Sequence, residues 1–213
     1  MVDLNTFRQQ NVEGYLFEDL RTMKVASPAR GKQAGAVGYP LLMSAFAGIE
    51  LLGALLSSDP FNKDKGAQYF GTFWRNYLYA TNATRAAAGD ALYRLIRHGL
   101  AHVYVTKGDI SVFKHQPGLH LVRGSDGSIC VDAAQLADDL EDCYKSKVKP
   151  LVGASTGVSG ASMTKRLDEM VAVYRAQATK VLPGICLPVA PTGMTSVGSG
   201  SAILTVTVSK SGN

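Results

Sequence analysis

Residues 34–58 carry one charged side chain, Glu50, in a stretch otherwise composed of apolar and small residues. A segment of that composition has to be enclosed on nearly every side, because apolar surface left in water is unfavourable. Pro40 suits the first turn of a helix, so the helix is expected from about Pro40 to Ser57. That is short of the roughly 20 apolar residues a bilayer crossing needs, and Glu50 and the interspersed small residues disfavour contact with lipid. The expectation is a core helix rather than a membrane span. Leu41, Leu42, Ala45, Ile49, Leu52 and Leu56 cover most of its circumference, while Gly48 and Gly53 leave room for a neighbour to come close.

The rest of the chain supplies the neighbours. Leu4, Phe7, Val12, Tyr15, Leu16 and Leu20 predict a first helix over residues 4–23, followed by a Pro- and Gly-containing loop over residues 27–38. After Asp59-Pro60, with Asn62 or Asp64 as cap, a helix to about Tyr79 carries Tyr69, Phe70, Phe73, Trp74, Tyr77, Leu78 and Tyr79, an aromatic stripe read as core in preference to a base-stacking platform. Residues 81–89 read as a small-residue connection or a weak helix start, and Asp90 is the expected cap of a helix ending near Val105.

Short β-branched runs at 110–113, 119–122 and 129–131 predict a small antiparallel β-meander over about residues 109–131. Asp132 caps the next helix, to about Val148, and another is expected from about Met163 to Val181. The Gly-rich loop at 153–160 lacks the Gly-Lys-Ser/Thr ending of a phosphate loop and reads as a connection. The fold class is therefore mainly α, with residues 1–182 as one helical domain and residues 183–213 as a Gly/Ser/Pro-rich tail holding one possible strand, 202–208.

Residues 92–104, LYRLIRHGLAHVY, concentrate the chemistry. Leu92, Leu95, Ile96, Gly99, Leu100 and Val103 share one side of a helix; Arg94, Arg97, His98, Ala101 and His102 share the other. Arginine offers a fixed fork of donors to a phosphate and histidine changes charge near neutral pH, so this face suits an anionic substrate and phosphodiester chemistry. The same residues also fit a solvated helix face. A net charge of +5 and a pI near 9.1 permit a nucleic-acid partner without requiring one.

Cys130, Cys143 and Cys186 show no Cys-x2-Cys spacing, so free thiols and a cytoplasmic setting are expected. The N-terminus lacks the basic and apolar regions of a signal peptide. His98 and His102 stand four apart, but Gly99 replaces the glutamate of a HExxH motif, and no metal site or cofactor is expected; His115 and His120 have no companions at a ligand spacing.

Arg97-His98-Gly99-Leu100-Ala101-His102 resembles the Arg-x4-His signature of the HEPN superfamily of helical ribonucleases, and with Val103-Tyr104 it resembles the longer Arg-x4-His-x-Tyr form of toxins paired with a nucleotidyltransferase antitoxin. Residues 46–52 look like the early HEPN helix, where a glutamate faces the catalytic helix. The resemblance covers roughly residues 40–104. It implies a metal-independent endoribonuclease of a toxin-antitoxin or defence system, with RNA as substrate and an active site formed in a homodimer. His102 would be general acid or base, Arg97 would hold the scissile phosphate, and His98 would tune the site. Glu50 would orient Arg97, or simply pair with any nearby cation. Tyr104 would be the residue an antitoxin modifies, or a helix-end aromatic. A non-catalytic helical binding or scaffold protein and an anion sensor are the other readings.

Overall fold

The apolar stretch forms the helix its composition demands, Gly38–Leu55 (α2), in a computed structural model that describes residues 3–27, 37–97, 110–154 and 158–181. Leu41, Leu42, Ala45, Phe46 and Ile49 are completely buried, each large side chain contributing about 1.5–3 kcal/mol relative to exposure. α2 is the one described helix long and apolar enough to cross a membrane, and more than half of it is buried inside the protein.

Around α2 lie the other helices. α1 begins as Leu4–Phe7, capped by Asp3, widens into a π-helical stretch over Arg8–Phe17, and continues as Glu18–Val25. α3 comprises Gly66–Phe73 and a π-helical turn, Trp74–Leu78; Phe70, Phe73 and Trp74 are completely buried, and the Trp74 indole N–H donates to the Arg85 carbonyl at 2.8 Å. The aromatic stripe is core. Gly53 lets α3 approach α2 closely: a Cβ there would lie 2.1 Å from the Tyr69 carbonyl oxygen.

Of the two readings of residues 81–89, connection or weak helix start, the second is the one seen. Asn82 caps a short helix, Ala83–Ala87 (α4), and α5 follows at once as Gly89–Leu92 continuing into Tyr93–Arg97. Asp90 is therefore not a cap. It lies inside the first turn of α5, where its carboxylate accepts from Arg75 at 2.8 Å.

The β-structure corrects the expected antiparallel meander. Its strands are Ile110–Phe113 (β1), Val122–Arg123 (β2) and Ile129–Asp132 (β3), in the order β1-β3-β2. β1 runs parallel to the central β3, with Ile110 opposite Ile129 and Phe113 opposite Asp132, and only β2 is antiparallel to it. The alternating patterns identified extended segments but carry no information about which edge each joins. The segment after β1 does not turn back as a hairpin. His115 and Leu121 adopt positive φ (64° and 56°) around a 3-10 turn, Pro117–Leu119, and the chain passes to the far edge of β3. Residues 119–121 are thus turn rather than strand.

β3 runs directly into α6, Ala133–Cys143 with a π-helical end, Tyr144–Val148, capped as expected by Asp132, whose Oδ1 accepts from Gln135 N at 2.7 Å. α7, Gly160–Val181, closes the bundle against α2. The tail expected over residues 183–213 lies outside the described residues, as does Cys186. Cys130 and Cys143 are buried free thiols, and burial pushes the Cys143 thiol up to about 11.

Candidate functional site

α2 and α5 bring Glu50 and Arg97 together. Glu50 occupies a half-buried edge of the otherwise apolar α2, and Arg97 lies near the C-terminal end of described α5, with its Nε 3.9 Å from Glu50 Oε2. Tyr93, one turn earlier on the same face of α5, donates its hydroxyl to the same oxygen at 3.1 Å. Burial, and then the Glu50 charge, push the Tyr93 phenol up to about 12, so it remains a donor. On the other side, Gly66 begins α3 so close to the carboxylate that a Cβ would lie 2.5 Å from Glu50 Oε1. The carboxylate is thus hydrogen-bonded from α5 on one side and closely flanked by the start of α3 on the other.

Arg94 points to solvent, but Arg97 turns inward. The absence of a carboxylate within residues 92–104 is made good by one from α2. Arg97 Nε is enclosed yet makes no hydrogen bond among the described residues, because 3.9 Å is an ion-pair distance beyond hydrogen-bond reach.

Beside this pair is a cleft of about 240 Å³, whose walls include Leu51, Phe61, Tyr69, Met170 and Tyr174. The Phe61 ring stacks on Tyr69 at 5.9 Å and 15°, and Tyr174 leans on it at 5.8 Å and 52°. Phe61 is fixed by α7: its N–H donates to Glu169 Oε2 at 2.7 Å, while the buried Arg166 bonds the same carboxylate and the Asp59 carbonyl. Tyr69 accepts from Asn62 N at 2.8 Å. The cleft therefore has apolar, aromatic walls and an ionic end, the composition of sites that orient a flat ligand by a few polar groups.

Of the expected site residues, Glu50 and Arg97 meet in this cleft, while His98, His102 and Tyr104 lie outside the described residues. Phe61, Tyr69, Met170 and Tyr174 were not singled out as site residues by the sequence. They come from a loop, α3 and α7, and each reads individually as an ordinary core aromatic or apolar position.

A second polar cluster joins the sheet to the bundle. Completely buried His120 places Nε2 2.9 Å from the Tyr79 hydroxyl, which donates to Asp139 Oδ2 at 2.7 Å; Gln135 donates to Asp139 Oδ1 at 2.7 Å. Burial alone would raise the Asp139 carboxyl, but the bonds from His120, Tyr79 and Gln135 outweigh it and hold the group below its ordinary value. Its contribution to stability is therefore complete above the unfolded-state value of about 3.9 and is lost as pH falls through the lower folded value. Urea unfolding across the acid range is expected to show a steeper loss of stability in the wild type than in Asp139→Asn. Parallel acid limbs would remove Asp139 from the account. His115, in contrast, is exposed and hydrogen-bonds the Lys24 carbonyl at 2.8 Å. Among the described residues no three His, Cys, Asp or Glu side chains gather in a metal-binding group.

Comparison of the chain with family models, curated proteins and solved structures finds no match in any of the three.

Proposed function

We propose that this chain is an HEPN-like, metal-independent endoribonuclease. The observation that carries the reading is the Arg97–Glu50 pair. The arginine of the Arg-x4-His pattern meets the glutamate of the apolar helix at 3.9 Å, at the edge of an aromatic cleft. A carboxylate at that distance aims the guanidinium while the Arg97 side chain stays 33% exposed.

In this mechanism Arg97 binds the scissile phosphate and offsets the charge that builds on its oxygens. His102 acts as general acid or base. The proton of the ribose 2′-hydroxyl passes to a base as the oxygen attacks phosphorus, the bond to the 5′-oxygen breaks, and that oxygen takes a proton. The products are a 2′,3′-cyclic phosphate and a 5′-hydroxyl, with no redox change. His98 tunes the site, Glu50 orients Arg97, and two copies of the chain supply the helices of one active centre. A toxin-antitoxin or defence role in the cytoplasm, with a nucleotidyltransferase antitoxin acting on Tyr104, belongs to the same proposal.

The competing reading is a helical binding or scaffold protein. It is favoured by the fact that the Glu50–Arg97 pair also meets the ordinary need of a half-buried carboxylate for a cation. The deciding experiment is incubation of purified protein with a mixed RNA pool in excess EDTA, beside Arg97→Ala and His102→Ala variants with native circular dichroism. Cleavage by the wild type alone is expected. Intact RNA with dimeric wild-type protein, or equal cleavage by all three, gives the scaffold reading the advantage.

A further inference from the structure

We propose that the Phe61–Tyr69–Tyr174 cleft is a base-binding subsite that takes one unstacked RNA base next to the phosphate held by Arg97, an inference that rests on the ribonuclease reading. Three observations carry it. First, two rings of the cleft are open to a ligand: Tyr174 is 42% exposed and Phe61 is half-buried, backed by the nearly parallel ring of buried Tyr69. Sequence-tolerant recognition of single strands works by stacking bases on such rings.

Second, the size is right for one flat heterocycle. Pockets for drug-sized ligands run from about 300 to 1,000 Å³, and this one is about 240 Å³, open on one side. It is too small for a whole oligomer and leaves the sugar and phosphate outside.

Third, a cation stands at one end of the cleft, where a phosphate next to a bound base would lie. Arg97 lines the cleft with its side chain 33% exposed, and the guanidinium suits the phosphate. Lys63, also on the lining, is exposed but is paired with Asp64 at 2.8 Å, so Arg97 is the cation the phosphate would meet. The anchoring of Phe61 by Glu169 from α7 pre-forms the platform, so little ordering is required on binding.

The test separates binding from cleavage. A fluorescein-labelled, single-stranded 2′-O-methyl RNA has no free 2′-hydroxyl and cannot be cut by the proposed chemistry; its anisotropy reads affinity alone. Tyr174→Ala is expected to weaken binding about 5- to 100-fold, the range for losing one base stack. Tyr174→Phe keeps the ring and should remain close to the wild type. Phe61→Leu preserves apolar bulk, so its loss of affinity reports the missing ring rather than a collapsed loop.

Replacing single nucleotides of the probe by abasic ones should weaken wild-type binding at one position and leave Tyr174→Ala indifferent there. Unchanged affinity in Tyr174→Ala, equal loss in Tyr174→Phe, or no binding by the wild type each overturns the subsite. Binding that follows this pattern without cleavage of ordinary RNA defeats the nuclease reading while the subsite stands. Cleavage with unaltered affinity in Tyr174→Ala defeats the subsite alone.

Discussion

Arg97→Ala is expected to slow RNA cleavage about 10²- to 10³-fold, the usual effect of removing one preorganised donor from a developing oxyanion. His102→Ala should cost about 10²- to 10⁴-fold as a lost general acid or base. If the two residues serve one transition state, the double variant falls little below the worse single one, because groups acting as a unit are not additive. Single-turnover rates with saturating protein give the comparison. Arg97→Lys should recover only part of the rate, since an ammonium group lacks the planar fork. Wild-type rates in Arg97→Ala would remove this residue from the chemistry and leave the pair with Glu50 as a structural contact.

Gly53→Ala is expected to be the most damaging small substitution in the core. The added methyl would meet backbone atoms of α3, 2.1 Å from the Tyr69 carbonyl oxygen and 2.7 Å from its carbon. Backbone cannot rotate away, so α2 and α3 must separate and break the packing of Phe70 and Phe73 against α2. Overpacking a core costs about 1–3 kcal/mol and more where no rotamer relieves it, a large share of a typical total of about 5–15 kcal/mol. Gly48→Ala is the control. Its methyl meets the Leu16 Cδ2 atom at 2.8 Å and Leu140 Cδ2 at 3.1 Å, both side-chain ends that can shift. Urea midpoints should drop much further for Gly53→Ala; equal drops would refute the backbone-contact argument.

The sequence made some of this architecture legible, for identifiable reasons. A stretch with Glu50 as its lone charge admits few environments, so the central helix and its burial could be read directly. The aromatic stripe of α3 and the capping Asp132 were equally plain, because each is a local signal. Strand pairing was not, since direction depends on where the path after β1 leads, and that path is set by positive φ at His115 and Leu121. Asp90 looked like a cap but serves Arg75, because Asn82 and α4 had already started the helical run.

The candidate site divides the same way. Arg97 and Glu50 could be paired through a motif resemblance, whereas the rings of the cleft, Phe61, Tyr69 and Tyr174, come from a loop, α3 and α7, and no spacing along the chain links them. The Tyr79–His120–Asp139 cluster was invisible for the same reason: its members are 41 and 60 positions apart along the chain.

The junction between β3 and α6 has a dynamic corollary. Asp132 is at once the last residue of the central strand, opposite Phe113, and the cap of the helix, and its other oxygen accepts from Gln116 N in the connection that follows β1. With no intervening loop there is no hinge at which the strands can fray independently. Opening the sheet uncaps α6, and unwinding the first turn of α6 releases the sheet. Amide protons of Val131 and Leu136 are therefore expected to exchange with solvent through a shared opening, as one cooperative unit drawn from two classes of secondary structure; different opening energies for the two in native-state hydrogen exchange would separate them.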